Sequence, residues 1–185
     1  METVNGVSHE KSFVQIKMED GCKDLFPVKA HKTDAGFDLM AAEDVTLSLN
    51  EVKAISVGFK MAMEDGWEAQ IRPRSGNALK YGLQVVNSPG TVDCSYRGTV
   101  CVIIRYSSNK QYNLTRNQLD DHTYSENFVS FPNPELKTFS IKRGMKIAQM
   151  VIKQVPQVEL IEVDSLDETE RGEGGFGSTD QKKAQ

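Results

Sequence analysis

The sequence predicts an all-β protein, a barrel or sandwich of short strands, on three observations. Apolar residues recur with a period of two over short segments, turn-forming residues interrupt them at close intervals, and the longer period of amphipathic helices is scarce. With 185 residues, the chain suits one domain whose core needs neither metal nor disulfide.

Residues 1–12 are polar and unpatterned and read as a loose tail. The domain is expected over 13–163. Its first strand runs from Phe13 to Met18, with Val14, Ile16 and Met18 on one face. Trp67, Ala69 and Ile71 alternate with Glu68, Gln70 and Arg72 in a second clear strand. Thr99 to Tyr106 is dense in β-branched residues and long enough for a buried strand. Lys146 to Val155 is a second such run, and Val158 to Val163 a third. Turns are expected at Asp34-Ala35-Gly36, Asp65-Gly66, Ser75-Gly76-Asn77, Ser88-Pro89-Gly90, Arg97-Gly98 and Arg143-Gly144. The best helical stretch is short, around Asn77 to Tyr81 after Ser75-Gly76. Residues 107–138 are polar and irregular and read as an insertion between two strong strands. From Asp164 to the end the chain reads as an arm and a strap, with Gly172, Gly174, Gly175 and Gly177 around Phe176. It is too poor in apolar side chains to pack by itself and is expected to be mobile with nothing bound.

Composition removes several function classes. Hydrophobic residues at 38% and charged residues at 26% describe a globular chain. No apolar run approaches the ~18–20 residues of a spanning helix. The net charge is −4, whereas nucleic-acid and anionic-membrane binders need a basic footprint. The acidity is local: residues 159–173 hold seven acids and one base, so that window carries −6 and the remainder +2. A small polyanionic ligand is therefore compatible with the rest of the chain. Cys22, Cys94 and Cys101 form no CxxC pair, which suits a reduced compartment without structural zinc. Met1 to Met18 lacks a charged-then-apolar signal pattern. The expected location is cytoplasmic, or nuclear in a eukaryote, and not secreted.

Three segments hold candidate chemistry. In Arg72-Pro73-Arg74-Ser75-Gly76, guanidiniums present donor forks to phosphate oxygens, and Gly76 lets backbone N–H groups approach an anion. In Asn87 to Gly98, which should be a hairpin or tight loop, Asp93 can serve as general base for a water. Tyr96 can offer a flat face to a sugar or base, and Asn87 carries a donor and an acceptor for a heterocycle edge. In Arg171-Gly172-Glu173-Gly174-Gly175-Phe176-Gly177-Ser178-Thr179, an arginine, an aromatic ring and two hydroxyls sit on a strap able to close over a phosphorylated, ring-bearing ligand. It has no Walker spacing. Each segment alone also reads as an ordinary turn or terminus. Asp38, between Phe37 and Leu39, and Gln149, within Ile147 to Val151, are polar residues on apolar strands that need partners. His31, Asp34 and Asp38 lack the spacing of a tight zinc site.

Taken in order, these segments change the reading. The chain resembles the trimeric dUTPase (deoxyuridine triphosphate nucleotidohydrolase) family from about Phe13 to Asp180 in five stretches: Ala35 to Leu39, Arg72 to Gly76, Gly90 to Gly98, Arg143 to Gln149 and Arg171 to Thr179. The resemblance implies a jelly-roll-like β fold, a homotrimer with active sites between subunits, and Mg²⁺-assisted hydrolysis of dUTP to dUMP and pyrophosphate. That activity keeps uracil out of DNA and supplies dUMP for dTMP synthesis. It implies that Asp93 activates the water attacking the α-phosphorus, with Thr91 and Val92 lining the pocket through their backbone. Asn87 and the backbone near Cys101 would read uracil, and Tyr96 would lie against the deoxyribose and exclude a 2′-hydroxyl. Arg74, Ser75 and Gly76 would hold the phosphates, and Gln149 would orient phosphate or water. Asp38 would meet through water a Mg²⁺ held mainly by the triphosphate. Phe176 would cap the base with Gly177 beside it, Arg171 would brace the tail, and Ser178 and Thr179 would meet the γ-phosphate. Asn77, Cys94-Ser95 and the long insertion depart from the family's usual pattern.

Two other functions compete with this one. A dCTP deaminase of the same fold uses a glutamate on the strand after the hairpin, but Val100 to Arg105 contains no acid. A binding protein of this fold would engage a protein partner through residues 107–138, yet the intact Asp93, Gln149 and strap argue that catalysis is retained.

Overall fold

Period-two segments and close turns give short antiparallel strands in the computed structural model. It describes residues 13–107 and 138–174 with their side chains, and four further short strands by backbone alone. In chain order the strands are β1 (Thr3–Val4), β2 (Val7–Ser8), β3 (Gln15–Met18), β4 (Phe37–Met40), β5 (Val45–Ser48), β6 (Val52–Ser56), β7 (Phe59–Ala62) and β8 (Trp67–Arg72). Helix α1 (Ser75–Tyr81) follows, then β9 (Leu83–Val85), β10 (Gly90–Asp93), β11 (Cys101–Tyr106), β12 (Arg116–Gln118), β13 (Tyr124–Glu126), β14 (Thr138–Ile141) and β15 (Lys146–Gln154).

The sheet that positions the candidate site has the order β10-β8-β15-β4. A second sheet, β6-β11-β9, and the pairs β14-β5 and β3-β7 close round the same core. All pairings are antiparallel. Alternation does what the sequence predicts: along β8, Ala69 and Ile71 are buried while Glu68, Gln70 and Arg72 stay partly exposed. Phe59, Leu39, Leu47, Ile55, Ile104, Ile141 and Ile147 are fully buried, and each such side chain contributes about 1.5–3 kcal/mol relative to exposure. No helix of the described residues is long and apolar enough to cross a membrane.

Helix α1 begins two residues before the expected stretch and stops at Gly82, which caps it in the left-handed conformation at φ 69°. The expected turn at Arg143-Gly144 joins β14 to β15, with Gly144 at φ 82°. Arg143 clamps this turn to the body: its guanidinium donates to both Asp24 carboxylate oxygens at 2.7 and 2.8 Å and to Gly21 O at 2.7 Å. That fork holds the Asp24 carboxyl below its ordinary range.

One expected strand is absent. Val158 to Val163 has the composition of a buried strand but forms none: Val158, Leu160 and Ile161 are 78%, 95% and 76% exposed. β15 ends at Gln154, and Pro156 lacks an N–H to continue a ladder. Beyond it the segment meets no strand among the described residues to satisfy its backbone. The tail 1–12 and the interior of the insertion 107–138 lie outside the residues described with side chains, as does the strap from Gly175 onward.

Candidate active site

Two adjacent strands and one helix start build a polar cavity. β4 pairs with β15 so that Asp38 stands opposite Gln149, and β15 pairs with β8 so that Gln149 stands opposite Arg72. This register brings three sequence-distant segments to one place. The cavity of about 330 Å³ is lined by Ala30, Asp34, Ala35, Gly36, Asp38, Arg74, Ser75, Gly76 and Gln149. Every predicted phosphate-binding residue of the described chain therefore converges here.

Its electrostatics centre on Asp38, which is 6% exposed. Arg74 forms an ion pair with Asp38 Oδ1, and Lys146 Nζ lies 2.6 Å from Oδ2. Arg74 and Lys146 thus offset the buried Asp38 carboxylate, and the Arg74 guanidinium keeps further donors for an anionic ligand. Asp38 Oδ2 has this ion partner but accepts no aligned hydrogen bond. Among the described residues, no group of three or more His, Cys, Asp or Glu is disposed to hold a metal by itself.

Gln149 is held from both sides. Its Nε2 donates to Pro73 O at 2.9 Å, and its Oε1 lies over Gly36, where an added Cβ would stand 2.7 Å away. Ser75 and Gly76 are exposed at the first turn of α1, and nothing lies within 4 Å of where a Gly76 side chain would start. The departure at Asn77 has a structural use: its Nδ2 donates to Lys146 O at 2.7 Å, tying the helix to the start of β15.

The segment from Asn87 to Gly98 is a tight loop and an edge strand and not a hairpin, since β10 pairs with β8 while β11 pairs with β6 and β9; its residues form a second cluster on β10 and the turn after it. Asp93, exposed at the end of β10, pairs opposite Glu68 at the start of β8. Asn87 packs over Gly90, where an added Cβ would be 2.8 Å from Nδ2. Tyr96 is 46% exposed and donates from its hydroxyl to Thr99 O at 3.1 Å. Thr91 and Val92 lie on β10, and Cys101 opens β11. Partial desolvation, with Glu19 and Glu43 nearby, pushes the Cys101 thiol up.

The two clusters do not meet within one chain. None of Asn87, Thr91, Val92, Asp93, Tyr96 or Cys101 lines the cavity. Asp93 is registered to Glu68, whereas Gln149 is registered to Arg72, four residues or about 13 Å further along β8 at ~3.3 Å per residue. Arg171 is also apart, with Nε donating to Gly174 O at 2.9 Å. Phe176, Gly177, Ser178 and Thr179 lie outside the described residues. His31 and Asp34 form a turn instead of a metal set, His31 N–H donating to Asp34 Oδ2 at 2.8 Å. A more apolar groove of about 440 Å³, lined by Phe13, Ile16, Phe26, Trp67 and Ile152 among others, holds no titratable group and is not the reacting site.

Sequence reasoning gave no role to Lys146 or to Gly36 and Gly90. The available signal was the order of Lys146 three residues before Gln149 on one strand, but the contact with Asp38 depends on the register between β4 and β15.

Comparisons with known proteins agree on one family. A family model described as dUTPase matches residues 25–119 and 120–180. The chain is 43% identical over 155 residues to the deoxyuridine 5'-triphosphate nucleotidohydrolase of Clostridium kluyveri, covering 84% of this chain and 90% of that one. It is 43% identical over 172 residues to the protein of the same name from Caulobacter vibrioides, covering 90% and 93%. Its fold is similar to that of a mutant dUTPase of Staphylococcus bacteriophage 80alpha solved with dUpNHpp, at a TM-score of 0.68 and 26% identity, covering 90% and 98%.

Proposed function

The chain belongs to the dUTPase family, and from that premise we propose that it hydrolyses dUTP to dUMP and pyrophosphate at a site completed between subunits of a homotrimer. The observation that carries this reading is the division of the site: the predicted phosphate-holding residues gather in one cavity, while Asp93 and Tyr96 stand on edge strand β10 and the turn after it, which do not reach it.

In the proposed mechanism, Arg74, Ser75 and Gly76 bind the phosphate chain, and Gln149, fixed by Pro73 O, orients phosphate or water. Asp93 from a second subunit takes a proton from the water as its oxygen attacks the α-phosphorus, and pyrophosphate departs. Orientation and fixed cations supply most of the rate. Thr91 and Val92 line the pocket, Asn87 and the backbone near Cys101 meet the uracil edge, and Tyr96 lies against the deoxyribose. The strap then closes with Phe176 over the base, Gly177 beside it, Arg171 bracing, and Ser178 and Thr179 at the γ-phosphate, excluding bulk water.

The donor set fits Mg²⁺ in one way. A single buried carboxylate with an oxygen lacking an aligned donor suits a water-mediated contact, and an ion that keeps several waters needs no protein cage. Asp38 would meet Mg²⁺ through water, and the ion would neutralise charge on the triphosphate. The proposed location is cytoplasmic, or nuclear in a eukaryote, and the proposed role is to keep uracil out of DNA and to supply dUMP.

The exposed Val158, Leu160, Ile161, Val163 and Leu166 on the arm, and the apolar groove, are surfaces that assembly would cover. Intersubunit sites make a direct test. Asp93→Asn and Arg74→Ala should each be inactive as homotrimers, but co-refolding equal amounts should restore about one quarter of wild-type activity, because each mixed three-fold ring contains one intact site in three. Pyrophosphate release measures it, and no recovery in verified mixed trimers would place both residues in the same subunit's site.

The insertion 107–138 is proposed to be peripheral to catalysis and available to a protein partner. Replacing residues 109–136 with a short turn should leave kcat/KM for dUTP within about twofold, since surface loops tolerate length changes. A collapse of hydrolysis in an intact trimer would contradict this.

A further inference from the structure

Tyr96 and Gly98 form a unit that backbone geometry does not explain. Tyr96 is anchored at both ends: its N–H donates to Asp93 O and its hydroxyl to Thr99 O, each at 3.1 Å. Between these anchors the ring crosses directly over Gly98. A Cβ at Gly98 would stand 2.5 Å from Tyr96 Cζ and 2.9 Å from Cε2, with the hydroxyl oxygen closer still. Those separations are well inside carbon contact distance. Yet Gly98 is not among the glycines with positive φ, so no left-handed backbone calls for glycine there. What requires glycine here is the ring above it.

The same construction recurs under Asn87 and Gln149. Gly90 and Gly36 also lack positive φ, and an added Cβ would stand 2.8 Å from Asn87 Nδ2 and 2.7 Å from Gln149 Oε1. Gly76, which faces the phosphate cavity with no side chain over it, has open space instead. Glycines thus floor three side chains that reach for the ligand. Tyr96 and Asn87 are exposed, Tyr96 at 46%, whereas Gln149 is half-buried.

We propose that Gly98 is a positioning residue that sets sugar specificity: it seats the Tyr96 ring at a height that leaves room for a 2′-hydrogen and not for a 2′-hydroxyl. This rests on the reading of Tyr96 as the wall against the deoxyribose. A methyl group at Gly98 must lift or turn the ring off the Thr99 carbonyl. The wall is then no longer fixed, and discrimination against the ribonucleotide falls.

The test compares kcat/KM for dUTP and UTP in wild type, Gly98→Ala, Tyr96→Ala and the double variant. Gly98→Ala is expected to lower the dUTP:UTP ratio by about tenfold or more, within the range that a single misplaced contact gives. Its Tm should stay near wild type. The double variant should match Tyr96→Ala alone, because once the ring is gone the methyl has nothing to displace. A merely structural role would lower Tm and leave the ratio unmoved. If Tyr96→Ala loses the ratio but Gly98→Ala keeps it, the seat is refuted while the sugar wall stands. If Tyr96→Ala itself keeps the ratio, the wall falls and the proposal with it. Should Gly98→Ala fail to fold, a folded double variant assigns the failure to the ring clash and supports the seat. Failure of both assigns Gly98 to the backbone and overturns it.

Discussion

Asp93→Asn is expected to lower kcat for dUTP by about 10²–10⁴-fold, the usual contribution of a positioned general base, while dUTP still binds. The asparagine keeps the shape and one acceptor oxygen but cannot take up a proton at neutral pH. Asp93 lies exposed at the end of β10, so the substitution leaves no buried group unsatisfied and Tm should not move. Single-turnover kinetics and equilibrium titration with a non-hydrolysable analogue separate the two effects. Wild-type turnover in this variant would remove Asp93 from the role of base.

The second large effect is expected at Arg74, which has two partners in the account. Its guanidinium pairs with Asp38 Oδ1, and in the proposed mechanism it would face the phosphates of bound substrate. Arg74→Ala should lower kcat/KM by about 10²–10³-fold, as loss of a fixed donor to developing charge does. It should also lower Tm, because Asp38 is 6% exposed and loses one of two cations. Lys146 remains 2.6 Å from Oδ2, so the loss should be about 1–2 kcal/mol and not the ~3–5 kcal/mol of a wholly orphaned buried charge. Arg74→Lys separates the roles. It keeps a charge for Asp38 but not the two-pronged fork for phosphate, so stability should recover more than activity. Equal recovery of both would contradict the double role.

Much of this was legible in the sequence because it is local. Period two placed β8, the β-branched runs placed β11 and β15 within two residues, and Gly144 takes a left-handed conformation in the expected turn before β15. Asp38 and Gln149 stood out as polar residues on apolar strands, and they prove to face each other across one register. Val158 to Val163 failed as a strand because composition reports only a side chain's readiness for a sheet, whereas a strand exists only where a neighbour accepts its ladder. The pairing of Lys146 with Asp38 joins residues from two strands, and no spacing along the chain encodes it. The separation of Asp93 from the cavity follows from both pairings of β8 together. The glycine seats were hidden for a similar reason: Gly90 and Gly98 look like turn residues, and only the side chain lying over each shows why it is glycine.

The central claim is that this chain cleaves dUTP between the α- and β-phosphates and prefers it to near relatives. Release of pyrophosphate from dUTP, dTTP, dCTP and UTP, measured side by side with Mg²⁺ and with ammonia followed in parallel, tests it most directly. The account predicts pyrophosphate and dUMP from dUTP, far slower turnover of the other three, and no ammonia. Ammonia from dCTP, or equal turnover of dUTP and UTP, would contradict it.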